Sequence, residues 1–450
     1  MKRRMLRLVP LLLAAALPFV FIESPVLSRV AAITLVCLYL WLSELVPPFV
    51  PSLMIWAAVP LLLAPVDPKF SLSNVLGWAA DPVMALFFSG FAIGLATERL
   101  GFDKRLAGIA LKASNASFAR MLFLMIGLTA FLSMWMSNIA AAALIFAVVR
   151  PLLACRPADD ITRRTMLVGI ALGADLGGMA TPIGTGPNAI AIAWTAPSVH
   201  ISFVNWMIFA FPLTIGMLLF GFVLLLWRSN AANQSVPAAD DFVGRLVEDS
   251  SSRSIGLRGK FFLAITAATV GLWLTEPLHG IPSAVIAISA ASILFLSGIL
   301  RKRDLMDLDW STLLLIAGGI TLGRLLDSSG AVQTVANGIP FSEMNATVGL
   351  FVLCMTSALL SALMSNTASV VMLIPLASAL MPEPSTAILV AISASFGLPF
   401  VISTPPNAMA FGEGGLRSSD LFGPGIVLML VGCLLVSLTG RAVLNFAGIP

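Results

Sequence analysis

The chain has 450 residues and a net charge of +4; 58% of its residues are hydrophobic and 11% are charged, against about 25% in an average soluble domain. Its 26 basic and 22 acidic side chains cannot cover that much apolar surface in water, which excludes a soluble globule and a disordered chain. Four scattered cysteines (Cys37, Cys155, Cys354 and Cys433) read as small packed hydrophobes rather than a disulfide scaffold.

Runs of about 20 apolar residues mark membrane helices. In chain order they fall at 5–22, 28–48, 49–66, 78–100, 163–197, 203–228, 258–276, 281–300, 308–328, 384–413 and 420–446. These runs are continuous and do not alternate in polarity, so the fold is all-α, with about eleven transmembrane helices and no membrane barrel. The first run follows Lys2, Arg3, Arg4 and Arg7 in the manner of a signal peptide. No small-x-small cleavage site follows Phe21, so it is read as a retained helix.

Two further apolar runs, 119–155 and 344–381, each carry a Ser-Asn pair near the middle. The arm 121–136 has 16 residues, about 24 Å of helix, short of a hydrocarbon core of about 30 Å. Two re-entrant hairpins fit these lengths better than two pairs of full spans. If the hairpins return to their side of entry and the N-terminus is cytoplasmic, 22 of the 26 basic residues face the cytoplasm. The exceptions are Arg29, Lys69, Arg324 and Arg441. That bias predicts a multi-pass protein of a bacterial cytoplasmic membrane and explains the basic residues without nucleic acid. Residues 229–257 are the one long polar stretch and read as a cytoplasmic linker.

The halves on either side of this linker repeat one another. Gly90, Gly94 and Gly101 recur with the same mutual spacing as Gly319, Gly323 and Gly330. Ser137-Asn138 recurs at a nearly equal offset as Ser365-Asn366. Thr185, Pro187, Asn188 and Ala189 recur at a slightly smaller one as Thr404, Pro406, Asn407 and Ala408. Five full spans separate the two Ser-Asn segments. That odd number inverts the second repeat, a common plan of secondary transporters. The predicted units are scaffold helices (1–118 and 258–343), hairpin-plus-broken-helix units (119–228 and 344–450) and the linker.

A hairpin tip at mid-membrane frees backbone groups, which is tolerable only around a protein-lined polar site. Ser133 lies four residues before Ser137, and Ser361 four before Ser365, so each pair shares a helix face suited to an oxygen-lined cation site. The loops 177–189 and 401–412 interrupt apolar runs with Gly, Thr, Pro and Asn and leave carbonyls unpaired. Hard cations favour such oxygen ligands.

The segments MWMSN (134–138) with GTGPN (184–188), and MSNTASVVMLIP (364–375) with TPPNAMAFG (404–412), resemble the signature of the divalent anion/sodium symporter (DASS) family. WLSELVPPFVP (41–51) and DPVMALFFSGFAIGLA (81–96) resemble its early motifs, and the likeness covers about residues 30–425. The resemblance implies a dimeric scaffold and a mobile transport domain. That domain moves as an elevator and carries a small dicarboxylate with several Na⁺ ions. It further implies that Ser137, Asn138, Ser365, Asn366, Thr367 and a carbonyl near Pro405 hold the substrate. One Na⁺ would take Ser133, Ser137, Asn138 and the Gly184 carbonyl. A second would take Ser361, Asn366 and the carbonyls of Met364 and Ser403.

The sequence departs from that pattern at three places. Ile139 stands where the family has Thr, Ala141 and Ala142 stand where Thr is frequent, and Asp175 replaces a small or hydroxyl residue. A carboxylate inside a membrane marks a functional site by default. Asp175 is open to three roles: an extra cation ligand, a proton carrier or a paired structural acid. Glu413 and Glu44 read as architectural.

Neither tip nor loop holds Lys, Arg or His, and His200 and His279 fall at predicted external ends. A dianion at mid-membrane then needs co-bound cations. The expected activity is sodium-coupled uptake of a C4-type dicarboxylate. Anion exchange, or transport of sulfate, a tricarboxylate or a monocarboxylate, is the alternative. An integral membrane enzyme would show clustered acids or a His-metal group at one membrane face, and the sequence has neither.

Overall fold

The computed structural model describes residues 2–43, 45–115, 117–154, 156–231, 234 and 256–449. Glu44, Cys155 and most of the 229–257 linker lie outside the described residues. All regular elements among those residues are helices. The first half comprises α1 (Lys2–Phe21), α2 (Pro25–Ser43), α3 (Val50–Leu63), α4 (Leu72–Ala79), α5 (Val83–Arg99), α6 (Phe102–Ser114), α7 (Phe118–Ser133), α8 (Asn138–Ala154), α9 (Ile161–Gly177), α10 (Gly186–Thr195) and α11 (Phe203–Ser229). The second comprises α12 (Leu257–Leu274), the single turn α13 (Glu276–His279), α14 (Ser283–Leu296), α15 (Trp310–Ser328), α16 (Ala331–Asn337), α17 (Ala346–Leu363), α18 (Asn366–Leu380), α19 (Pro384–Ala394), α20 (Pro405–Gly412) and α21 (Ser418–Phe446).

Local chemistry sets the helix ends. Asp160 caps α9 by accepting from the N–H groups of Thr162 (2.8 Å) and Arg163 (3.1 Å). Asn345 caps α17 through Thr347 N–H at 3.0 Å, and Asp309 caps α15 through Thr312 N–H at 3.0 Å. The repeated glycines Gly101 and Gly330 each start the next helix in the left-handed region, at φ 68° and 76°. Only glycine adopts that conformation without a Cβ penalty, which accounts for the repeat there.

All the apolar runs are helical, but several are shorter than one crossing. Five helices are long and apolar enough to span a bilayer: α2, α11, α12, α17 and α21. Two bent pairs, α4–α5 (45°) and α15–α16 (64°), raise the number to seven. The remaining apolar helices have 10–17 residues. The cause is legible in the loops. The run 163–197 divides into α9 and α10 around 178–185, and 384–413 divides into α19 and α20 around 395–404. The apolar helices are also incompletely buried within the chain. In α12 28% of the spanning window is inside, and in α11 39%. Apolar faces left open in this way require lipid, and the protein is a multi-pass membrane protein.

Run-length reading missed α6, because its mixed composition is not a long apolar run. Asp103, Ala107 and Leu111 are buried on one face of α6, while Lys104, Arg105 and Lys112 are not. This is the spacing of an amphipathic helix.

The two halves pack in matching order. The hairpin α7–α8 packs on α9, and α17–α18 packs on α19. The short helix after each break crosses to the other half: α10 lies against α18 and α19, and α20 lies against α8 and α9. Around them, α3 and α4 pack on α15, α5 on α14, and α12 on α14. Glu276 ties the halves together at α13. Its carboxylate lies 3.0 Å from His200 Nε2 and accepts from the Ser283 hydroxyl and the Phe203 N–H. Glu413 likewise joins them: Arg150 donates to both its oxygens, at 3.0 and 2.5 Å, and Arg163 donates to its carbonyl at 2.8 Å.

Candidate ion and substrate site

Each tip is built from helix ends. Ser133 is the last residue of α7, and Asn138 is the first of α8. The buried Ser133 Oγ lies 2.7 Å from Asn138 Oδ1 and 2.6 Å from the carbonyl oxygen of Ala174 on α9. The second half repeats this. Ser361 Oγ lies 2.6 Å from Asn366 Oδ1 and 2.6 Å from the carbonyl oxygen of Ala394 on α19.

In each cluster one hydroxyl hydrogen faces two acceptors, so one oxygen pair has no proton between it. Each asparagine presents its carbonyl, not its NH₂, to the serine. Turned the other way, the amide would satisfy the cluster without an ion. Three oxygens of which two are carbonyls suit a hard cation. The Ala174 carbonyl is supplied by the break in α9, whereas the Ala394 carbonyl also accepts from Gly397 N–H at 3.1 Å. In an unbroken helix the Ala174 carbonyl would accept from Gly178 N–H, which bonds Leu176 O instead.

The other predicted residues surround these clusters. Ser137 and Ser365 precede α8 and α18, and their hydroxyls accept from Ala140 N–H (3.3 Å) and Ala368 N–H (3.2 Å). Ser137, Asn138 and Asn366 are half-buried, whereas Ser365 and Pro405 are exposed and Ser133, Ser361 and Gly184 are buried. Gly178 brings the Gly184 carbonyl towards the first cluster. A Cβ built on Gly178 would lie 2.6 Å from Asn138 Oδ1 and 3.0 Å from Gly184 O. Ser403 Oγ donates to Ala362 O at 3.0 Å and accepts from Phe400 N–H at 2.9 Å, so Ser403 is seated beside the second hairpin. Met364 ends α17 in an extended conformation, and its N–H still bonds Leu360 O. Thr367 is buried against the first half: a Cβ on Gly186, at the start of α10, would collide with Thr367 Oγ1.

Asp175 sits where the two halves meet. It is buried on α9, and its Oδ2 accepts from the hydroxyl of Thr404, the cap of α20, at 2.8 Å. Its Oδ1 has no hydrogen-bond partner among the described residues. One carboxylate oxygen is thus engaged by the other half, and the other is buried without a partner among the described residues.

The sequence reading did not identify several residues of this site. The Ala174 and Ala394 carbonyls occupy corresponding places in the two halves, but the loop offset that pairs Thr185 with Thr404 pairs Ala174 with Ser393, so the sequence alignment misses the match by one residue. Asn188 and Asn407 were visible as repeats but had no role. Asn188 Nδ2 donates to Gly178 O (3.1 Å) and Thr181 O (2.7 Å); Asn407 Nδ2 donates to Leu398 O (2.9 Å) and Phe400 O (3.1 Å). They hold the two loops in matching shapes. Trp135 orients the first tip through a near-parallel stack, 6.4 Å from both Phe203 and Trp273.

Dipoles divide the site by charge. The N-termini of α8, α10, α18 and α20 meet at the tips and loops, where positive ends favour an anion. The C-terminal ends of α9 and α19 bring the Ala174 and Ala394 carbonyls to Ser133 and Ser361, which favours cations. Ser137 also lines a cavity of about 90 Å³ shared with Glu98, Asp307 and Asp309. Of these acids Asp307 is paired with Arg99, and Asp309 accepts from Thr312 as the cap of α15. No group of three or more His, Cys, Asp or Glu residues that could hold a metal ion exists among the described residues.

A multi-pass helical fold with two broken helices and two matched polar tips defines a secondary transporter, and comparison with known proteins agrees. The profile of the citrate transporter (CitMHS) family matches residues 38–388 and again 349–448, and the chain belongs to that family. An uncharacterized transporter of Haemophilus influenzae is 30% identical over 418 residues, covering 89% of this chain and 88% of that protein. The inorganic phosphate transporter PHO87 of Saccharomyces cerevisiae is 28% identical over 86% of this chain and 43% of its own length. The sodium-dependent dicarboxylate transporter SdcS of Staphylococcus saprophyticus is 24% identical over 91% of this chain and 84% of its own. The fold resembles that of the YdaH transporter of Alcanivorax borkumensis, with a TM-score of 0.54 at 15% identity over 89% of this chain and 98% of that one.

Proposed function

We propose that the protein is a sodium-coupled symporter that takes up a small dianion, a C4-type dicarboxylate, across a bacterial cytoplasmic membrane. The observation that carries this reading is the pair of matched clusters, Ser133–Asn138–Ala174 and Ser361–Asn366–Ala394, each with one proton for two acceptors. Na⁺ fills each cluster, with Ser137 and the Gly184 carbonyl completing the first and the Met364 and Ser403 carbonyls the second. The two ions then offset the charge of a substrate held by Ser137, Asn138, Ser365, Asn366, Thr367 and the backbone at Pro405. Helix N-termini supply the remaining attraction.

The two hairpins and two broken helices (119–228 and 344–450) move together as an inverted-repeat transport unit. The helices of 1–118 and 258–343 form the scaffold of a homodimer with a cytoplasmic N-terminus, and 229–257 links the halves on that side. Reciprocal packing of α10 and α20 across the halves supports one moving body.

The test is uptake of labelled succinate, malate, citrate, sulfate and phosphate into proteoliposomes, with and without an inward Na⁺ gradient. Accumulation of succinate that collapses without Na⁺ is expected. Uptake that ignores Na⁺ but requires an internal counter-anion would make the protein an exchanger. Ile139 supports a second reading. Half-exposed at the first tip, it removes a hydroxyl donor where a carboxylate would bind, and a relative bears the name of a phosphate transporter. Na⁺-driven uptake of phosphate without succinate would establish that reading.

Asp175 serves as a ligand for a further cation, because its Oδ1 is unpaired and no basic group bonds it among the described residues. Asp175→Asn keeps the shape and an acceptor for Thr404 but removes the charge. The half-saturating Na⁺ concentration is expected to rise about tenfold, the size of one charge-assisted contact. An unchanged Na⁺ dependence would remove Asp175 from the ion path.

A further inference from the structure

We propose that an anionic phospholipid is a resident ligand of the crevice between α5, α12 and the first hairpin, with its phosphate in an arginine pocket and an acyl chain in the apolar cavity beside it, which Phe131, Leu132, Trp135 and Met136 also line. The pocket, about 370 Å³, lies where the end of α5, the start of α12 and the 298–304 turn converge; Arg99, the exposed Arg258, Arg301 and Arg303, and one acid, Asp304, line it. Arg99 is paired with Asp304 at 3.1 Å and with Asp307. The side chains of Arg258, Arg301 and Arg303 have no ion-pair partner among the described residues. Three uncompensated guanidinium groups around one cavity call for a phosphate, which arginine binds with paired N–H donors.

A second cavity of about 480 Å³ is lined almost wholly by apolar side chains, among them Phe102, Phe262 and Val270. It shares a helix face with the first. Arg258, Phe262, Thr266 and Val270 follow one another at intervals of four on α12, so they form a single stripe, with the arginine at one end and the apolar cavity at the other. The Phe102 and Phe262 rings, 5.6 Å apart, line the apolar cavity, with Phe262 one turn along α12 from Arg258. The Thr266 hydroxyl in this cavity is buried without a hydrogen-bond partner among the described residues.

The surroundings place the pocket at a lipid surface. Leu257, Leu296 and Met306, all close in sequence to lining residues, are 86%, 87% and 78% exposed. A soluble phosphate would fill only the arginine pocket, and a neutral lipid only the apolar cavity. A molecule with a phosphate at one end and a hydrocarbon chain at the other fills both, and basic pockets between membrane helices bind such head groups. This inference does not depend on the sodium-symport reading.

The test is native mass spectrometry of the full chain in mild detergent, titrated with phosphatidylglycerol or phosphatidylcholine. The wild type is expected to retain one phosphatidylglycerol at least about tenfold more strongly than phosphatidylcholine. The triple variant R258A/R301A/R303A is expected to lose that preference by a similar factor, and R258K/R301K/R303K to regain most of it. Ala267→Trp fills the apolar cavity while leaving the arginines in place, and should displace the lipid. Equal retention of the two lipids by the wild type would overturn the proposal, as would an unaffected Ala267→Trp variant. Displacement by glycerol phosphate at the same concentration would also overturn it, because the site would then take a soluble anion.

Discussion

Asn366→Ala is expected to abolish sodium-driven uptake while the protein remains folded. Asn366 contributes the Oδ1 that lies 2.6 Å from Ser361 Oγ, and with it one of the three oxygens of the second cluster. Removing one acceptor from a charge-assisted contact costs about 1.5–3 kcal/mol, or roughly 10–100-fold in Na⁺ affinity. On the proposed reading the substrate loses more, because the same residue opens α18, whose positive N-terminal end would face the anion. The helix itself survives, since Ser365 remains to cap it through Ala368 N–H. Asn138→Ala should behave alike, given the matching bond of 2.7 Å to Ser133. Uptake by proteoliposomes, Na⁺ binding by calorimetry and circular dichroism of the purified variants check this. Normal uptake by either variant would remove these asparagines from the site.

Gly177→Ala is expected to disrupt the fold at the first tip. A Cβ there would collide with Ala130 Cα and lie 2.5 Å from Ala130 O, both backbone atoms of α7. No rotamer relieves a clash with backbone, so α7 and α9 must separate. Overpacking of this kind costs about 1–3 kcal/mol and more when backbone must move. The separation also draws the Ala174 carbonyl away from Ser133, breaking their 2.6 Å contact. Reduced thermal stability together with lost Na⁺ binding is the expected outcome. Gly127→Ala, on α7 itself, is the control, because a Cβ there meets nothing within 4 Å. It should be neutral or slightly stabilising, as alanine favours helix over glycine by about 1 kcal/mol. Equal stability of the two variants would mean that the α7–α9 contact is looser than described.

Much of this architecture was legible from residues alone. The apolar runs located the helices because bilayer burial needs continuous hydrophobicity. The Ser-Asn pairs and the two Gly/Thr/Pro/Asn loops marked where those helices break, because such residues free backbone groups that a membrane tolerates only around a polar site. The spacing of four between Ser133 and Ser137, and between Ser361 and Ser365, drew attention to the serines, but neither pair shares a helix face: α7 ends at Ser133 and α17 at Leu363, so Ser137 and Ser365 lie beyond the break. Each buried serine reaches an alanine carbonyl on the following helix, and no side-chain pattern announces a backbone oxygen. The amphipathic α6 and the helix starts at Gly101 and Gly330 were likewise absent from a search for apolar runs.

The sequence by itself determined the membrane class, the repeated order of elements and the polar residues of both tips, because hydropathy and helix-breaking chemistry are local. Only the tertiary structure decided what those residues meet. It put Asp175 of one half against Thr404 of the other, and it exposed the carbonyls that turn two serines into oxygen clusters. It also gathered arginines from distant segments into one pocket. These contacts depend on how helices cross, and the crossings are set by close approaches such as Gly177 on Ala130 and Gly186 on Thr367. Periodicity along one chain holds no record of which backbone atoms meet across that gap.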